Sequence, residues 1–388
     1  LFRSHRIADT YGPLVYHQLG ETPRVYGQQE AYTRFFADLD EGQQLIREYL
    51  DEGGDNNKFK EYDMLTNGKT LKEWLKFANS LRLRLAMRIS NVDATLAKDQ
   101  ATKALNDNQG VLEGARETIA VMGKNYINPL CAVAGWGEVY MNASMESIVN
   151  GYEDPRGKKW YNTALLEGYQ KQLLGIPIGL PMKDGDANIY SFCSSLNTST
   201  IGEKTGAVLM SAAEVWLLRA EAALRGYTKE NPRTCYEYGV STSFTQWDCA
   251  GASEYLESDK TPADYKDVVS GGKVGKDMKA LITISPKWEE DADIETKLEK
   301  IITQKWLACW PESYEAWAEQ RRTGYPKLFK VQNNTGKVID TDIMIRRLPF
   351  STDAATADPA QYATLTEKLG GADNGATRLW WDTGKNSF

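Results

Sequence analysis

The chain has 388 residues, 41% hydrophobic and 26% charged, with a net charge of −7 and a pI near 5.3. That composition is globular rather than disordered, and its acidic balance argues against a nucleic-acid binder, which needs a basic footprint. No run of about 18 apolar residues occurs, so the sequence contains no candidate membrane-spanning helix.

The chain begins at Leu1 without Met, signal peptide or anchoring Cys, and is read as trimmed, which says nothing against export. Leu1 to Val25 carries few periodic signals; Tyr11-Gly12-Pro13-Leu14-Val15-Tyr16 reads as a turn followed by a short extended piece. Gln28 to Tyr49 reads as a helix with Tyr32, Phe35, Phe36, Leu39, Leu45, Ile46 and Tyr49 on one stripe. Gly53 to Asn57 is a loop. Leu71 to Ser90 is the cleanest helix, with Leu71, Trp74, Leu75, Ala78, Leu81, Leu85 and Ile89 at spacings of three and four. Arg82, Arg84 and Arg88 lie off that stripe and are expected on a solvated or ion-paired surface. Asp93 to Asn106 follows as its partner helix.

Gly110 to Gly206 is irregular and rich in Gly, Asn, Ser and Pro, with one short helix expected at Asn142 to Asn150 and Asp154-Pro155-Arg156 after it. Ala207 to Gly226 is a small-residue helix suited to close packing. Cys235 to Trp247 is its partner, which puts Tyr236, Tyr238 and Trp247 in the core. Gly251 to Asp293 is a second irregular segment. Lys297 to Leu328 reads as a helical hairpin. Leu298, Ile301, Ile302, Lys305, Trp306 and Cys309 share a face, and Pro311 stops the first helix because it has no N–H to give. Tyr314, Trp317 and Ala318 share a side of the second. Gly324 suits a left-handed cap. The load of Trp306, Trp310, Trp317 and Tyr325 calls for burial against other helices.

Five cysteines occur, with no C-x-x-C pair. Cys309 reads as a small buried residue. Cys235 and Cys249 are compatible with a bridge in an exported chain, which spacing alone does not decide.

The string from Gln304 to Pro326 (QKW, then EAWAE and RRTGYP) resembles the signature of the SusD/RagB family, surface glycan-binding lipoproteins of polysaccharide-uptake systems. So do W..FANSLRLRLAMR in Leu71–Ser90, AEVWLLRAEAALRG in Val208–Gly226, the Asp154-Pro155-Arg156 step and the Gly12 to Tyr16 segment. The resemblance implies a mainly α fold. Tetratricopeptide-like helical pairs (about 28–106, 207–247 and 296–328) would form a scaffold. An irregular loop-rich subdomain (about 110–206 and 251–293 plus 329–388) would pack against it, the whole of 1–388 being one domain. It further implies glycan binding without catalysis, delivery to a SusC-like TonB-dependent outer-membrane barrel, and a cell-surface location through an N-terminal lipid anchor absent here together with the first helix. The other readings are a peptide- or other nutrient-binding member of the same family and, behind it, a tetratricopeptide-type adaptor.

No G-x-S-x-G, H-E-x-x-H or H-x-x-x-H pattern is present, and an enzyme is not expected. A glycosidase pair of carboxylates has no supporting pattern. Ser270 to Asp277 imitates a phosphate loop but lacks Gly at Ser270 and Ser or Thr at Asp277, so it reads as a flexible turn. Asp184, Asp186 and Asn188 offer oxygens at alternate positions, a weak calcium candidate. Ile189 and Ser195 stand where an EF-hand needs Gly and Glu. No other cofactor is expected. Sugar binding needs aromatic faces beside hydrogen-bonding groups on loops. The candidates are Trp136 between glycines, Asn188, Tyr190 and Phe192 after the acidic turn, and Tyr265 and Trp288 in the second irregular segment. Trp160 and Tyr161 read equally well as buried.

Overall fold

The computed structural model describes residues 2–17, 20–66, 68–123, 125–181, 187–336, 338–385 and 387–388. Helix α1 (Phe2–Tyr11) leads through two antiparallel strands, β1 (Leu14–Tyr16) and β2 (Arg24–Tyr26), into the long α2 (Gln28–Asp51). The first helical hairpin is α3 (Leu71–Arg88) with α4 (Ala94–Leu105). Next come β3 (Ile119–Val121) and three short helices, α5 (Pro129–Ala134), α6 (Ala143–Gly151) and α7 (Arg156–Trp160). Strand β4 (Ala207–Met210) pairs back on β3 and enters the second hairpin, α8 (Ala212–Leu224) with α9 (Pro232–Gln246). The short α10 (Ala252–Leu256) and an irregular stretch precede the third hairpin, α11 (Ile294–Ala308) with α12 (Ser313–Thr323). Two helices, α13 (Ala354–Ala357) and α14 (Pro359–Leu369), lie near the end.

The hairpin helices start and stop on local chemistry. Thr70 caps α3 in a reciprocal box: its hydroxyl accepts the Glu73 N–H at 3.2 Å, and the Glu73 carboxylate accepts the Thr70 N–H at 2.8 Å. Ser211, Asn231 and Asp293 cap α8, α9 and α11 in the same sense, accepting N–H groups left free by the first turn. Gly324 closes α12 at φ +80°, a backbone state that costs a residue with a Cβ, and its N–H reaches the Gln320 carbonyl at 2.8 Å.

Helix α8 is the centre of the scaffold, packed against α3, α9 and α11. It is apolar nearly all round, as a helix enclosed on every side must be, and Ala212, Ala213, Ala220 and Ala222 let its neighbours approach closely. One core lies between α1 to α4 and one face of α8, joined by Leu379 and Trp381. The other lies between α8, α9, α11, α6 and α7. Leu298, Ile301 and Ile302 are fully enclosed there, each worth about 1.5–3 kcal/mol of burial.

Arg82, Arg84 and Arg88 are interior residues, contrary to the surface placement expected from their position off the stripe. Helix α3 packs against α2, α4 and α8, and every residue from Asn79 to Arg88 is buried, so that half has no solvated face to give them. Arg84 forks onto both Glu214 oxygens at 2.7 and 2.6 Å. Arg88 binds Glu315 at 2.6 Å, Asp9 at 3.2 Å and Glu319. Lys305 reaches Glu315 at 2.8 Å, and Arg322 reaches Glu221 and Glu319 at 2.6 Å. Such buried ions are held by mutual pairing, since each alone would cost several kcal/mol to remove from water.

The N-terminal segment, which showed few periodic signals, forms α1. Its buried face is mostly polar: His5, Asp9 and Thr10 beside Ala8. Asp9 accepts from Tyr32 at 2.6 Å, from the Trp381 indole at 2.9 Å and from Arg88, so residues 372 positions apart meet at one carboxylate. Tyr238 is exposed on the outer side of α9, its ring lying against Trp216, and is not core as expected. All five cysteines are unpaired, Cys235 and Cys249 included, and Cys309 is buried.

Candidate functional site

The α11–α12 hairpin carries three half-buried tryptophans, Trp306, Trp310 and Trp317. Trp310 is the pivot. Its ring stacks on Trp160 of α7 at 5.1 Å and meets Trp247 edge-on at 5.3 Å. Its indole N–H donates to the Tyr161 hydroxyl at 3.1 Å. Trp160 and Trp247 take the inner side of this cluster. The outer side, with Trp306, Tyr161, Leu196 and Met145, walls a cavity of about 370 Å3. The lining is mostly apolar with a few polar groups, among them Gln320 and Glu312, the usual make-up of a small-molecule site. Glu312 is buried, bonds Arg6 at 3.0 Å and accepts the Glu315 N–H at the start of α12. Burial pushes its carboxyl up to about 7, against the pull of Arg6.

One rim of the cavity belongs to the irregular segment. Asn128 caps α5, whose Leu130 lines the cavity, and Val139 lines it a few residues on. Trp136 stands between them on a turn with Gly135 and Gly137, the latter at φ +74°, and is 69% exposed. The segment is fixed beyond the turn by bridges of Tyr140 to Ser195 and Asn142 to Ile176.

The other expected sugar contacts divide. Phe192 is 50% exposed. Asn188 is exposed, and its side-chain oxygen accepts the Tyr190 N–H at 3.0 Å. Tyr190, Tyr265 and Trp288 are 1%, 2% and 7% exposed, so none offers an open face, which corrects the expectation for all three. Each ring anchors its own loop. Tyr190 donates to Asp267 at 3.1 Å and accepts the Gly275 N–H at 3.0 Å. Tyr265 donates to the Gly175 carbonyl at 3.3 Å, and Trp288 packs on Tyr236. Trp160 and Tyr161 are also buried. Asp184 and Asp186 lie outside the described residues. Among the described residues no three His, Cys, Asp or Glu side chains gather to hold a metal ion.

Sequence reasoning placed Trp306, Trp310 and Trp317 in a sealed core and missed that the hairpin leaves one side of them to a cavity. Trp306 lies on α11, Trp310 in the connection and Trp317 on α12, so no single helical period joins them, and the available signal was only their density in one hairpin.

A family described as SusD-like, SusD and RagB outer membrane lipoprotein, matches residues 2–382. Among solved structures, a SusD homologue from Bacteroides vulgatus is 56% identical, with a TM-score of 0.96, over 100% of this chain and 78% of that one. A chitin-binding SusD homologue from Flavobacterium johnsoniae is 36% identical, with a TM-score of 0.92, over 99% and 79%. A SusD-like protein from Bacteroides thetaiotaomicron is 31% identical, with a TM-score of 0.89, over 98% and 78%. No curated protein matches the chain.

Proposed function

We propose that this chain, which belongs to the SusD-like family of outer membrane lipoproteins, captures an oligo- or polysaccharide at the cell surface and passes it to a SusC-like TonB-dependent barrel. It is a binding protein and not an enzyme. The observation that carries the glycan reading is the likeness, over 99% of the chain, to a chitin-binding homologue.

The site supports the same reading. Pyranose rings present C–H faces that stack on aromatic rings and hydroxyls that need polar partners. Trp136 offers an open face on the turn between Leu130 and Val139, two residues that line a cavity walled by Trp306, Trp310 and Tyr161, with Gln320 as a hydrogen-bonding group. Phe192 and Asn188 offer a second exposed pair on their own loop. Binding sites on open surfaces compete with water, so affinity is expected to be modest until a partner covers the ligand.

The test is calorimetry of the chain with chito-oligosaccharides and a panel of plant, mucin and microbial polysaccharides, with short peptides alongside. Binding of one glycan class, weakened about tenfold by Trp136→Ala, supports function and site. Glycan binding indifferent to Trp136→Ala moves the contact to Phe192 and Asn188. Binding of peptides alone overturns the glycan reading.

A further inference from the structure

Beside the aromatic cavity lies a second one of about 410 Å3, and the two share the side chains of Gln320, Leu328 and Met344 as a common wall. The second is lined by cations, with Lys327, Lys330, Arg378 and Lys385 around its mouth and Arg321 and Arg346 at its base. Among the described residues Asp342 is its one lining carboxylate.

The positive charge there is only partly balanced; Arg322, which also lines it, is held by Glu221 and Glu319. Lys327 pairs with Glu299 at 3.1 Å, and Lys330 with Asp342. Arg346 and Arg378 share a single carboxylate, Asp382, at 2.7 and 2.6 Å. Arg321 donates to the carbonyls of Arg346 and Asp9, both at 2.7 Å, and to no carboxylate. Burial draws its guanidinium down to about 9, against the pull of Asp9. The Lys385 ammonium makes no ion pair among the described residues, and the residue is exposed. In a chain of net charge −7, this is a local field of the opposite sign, and a concave surface concentrates it. The α12 carbonyls that would repel an anion are occupied. Those of Gln320, Arg321 and Arg322 accept from Gly324, Arg346 and Asn91.

The shared wall carries a second mark. Met344 has φ +57°, in the left-handed region that residues with a Cβ seldom adopt. A strained backbone at the junction of two cavities is a feature of ligand sites.

We infer that the two cavities are compartments of one site, and that the glycan taken is acidic: a neutral ring against the tryptophans, and a carboxylate or sulfate ester among Lys330, Arg378 and Lys385. This rests on the glycan-capture reading above and narrows its ligand class.

The experiment titrates the full chain with polygalacturonate (carboxylate), chondroitin sulfate (carboxylate and sulfate), heparin (more heavily sulfated) and the neutral chito-oligosaccharides, at 50 and 300 mM NaCl. It repeats the series on Lys385→Glu and on Lys330→Gln/Lys385→Glu. The expected result is acidic over neutral preference of about tenfold or more, weakened by salt and lost stepwise in the two variants while neutral affinity holds. Preference for polygalacturonate assigns the cleft to carboxylate, and preference rising with sulfation assigns it to sulfate. Equal affinity for acidic and neutral glycans overturns the inference and leaves glycan capture standing. Acidic binding unchanged in both variants overturns the placement. Binding to no carbohydrate overturns both readings.

Discussion

The Trp310 indole N–H donates to the Tyr161 hydroxyl at 3.1 Å, joining the α11–α12 hairpin to the residue that follows α7. This bond and the stacking of Trp310 on Trp160 hold the aromatic wall of the cavity in place. Burial raises the Tyr161 hydroxyl to about 12, so it stays neutral and serves as acceptor throughout the physiological range. Tyr161→Phe leaves an indole N–H without its partner. The expected cost is about 1–2 kcal/mol, read as a lowered urea midpoint with unchanged slope and a shift in tryptophan emission.

Trp136 and Trp288 are expected to behave oppositely. Trp136→Ala removes an exposed ring and should move stability by no more than about 0.5 kcal/mol, while weakening glycan binding. Trp288→Ala empties an interior position and should cost about 3–5 kcal/mol. Urea unfolding of the two variants beside their glycan titrations separates contact from scaffold; a large loss of stability in Trp136→Ala would remove that residue as a surface platform.

Glu315 accepts from Arg88 and Lys305 in the interior. Burial opposes its ionisation, but Arg88 and Lys305 outweigh burial and hold the carboxyl well below the ordinary range. Glu315→Ala would strand both cations and should cost about 3–5 kcal/mol. A depressed carboxyl stabilises fully above its unfolded value. Wild-type stability should therefore fall as pH drops below about 4.5, a loss that chemical unfolding at pH 3 to 5 would detect.

Glu146 has the opposite sign. It is buried in α6, accepts the Gly175 N–H and has no ion-pair partner among the described residues. Burial pushes its carboxyl up to about 8. Between the ordinary value of 4.5 and 8 the folded state keeps a proton that the unfolded state releases. This group therefore favours folding at the low end of that window, and its contribution declines by about 1.4 kcal/mol per pH unit as pH rises. Glu146→Gln should flatten that decline. Urea midpoints of both forms at pH 5, 6, 7 and 8 measure the difference; parallel curves would contradict it.

The helical scaffold was readable because α3, α8 and α11 repeat apolar residues at three and four and begin on Thr, Ser and Asp caps. Helix α1 was not, because it buries His5, Asp9 and Thr10 with Ala8 as the one apolar residue among them, a set that forms no apolar stripe. The α3 arginines were misplaced for a related reason. Periodicity marks one buried face but does not show that a second layer covers the opposite one. In the irregular segments, lack of regular structure was equated with exposure. Tyr190, Tyr265 and Trp288 show the error: the first two sit in small cores that these loops build, and Trp288 packs into the second helical core. That Trp136 lies exposed on a turn follows from the glycines that flank it. The cationic cleft gathers residues from 321 to 385 by tertiary folding, with no motif in the sequence to announce it.

The meeting of Asp9 with Trp381 also bears on how the protein is made. A chain synthesised amino end first presents α1 hundreds of residues before its indole donor exists. Until then the Asp9 carboxylate must stay solvated, because burying it with its donors incomplete is costly. The first core therefore closes only when Trp381 has been delivered, and the hairpins formed earlier wait as an open assembly with apolar surface uncovered. Contacts that distant in sequence form slowly, so the docking of Trp381 on Asp9 is a late step in closing this core.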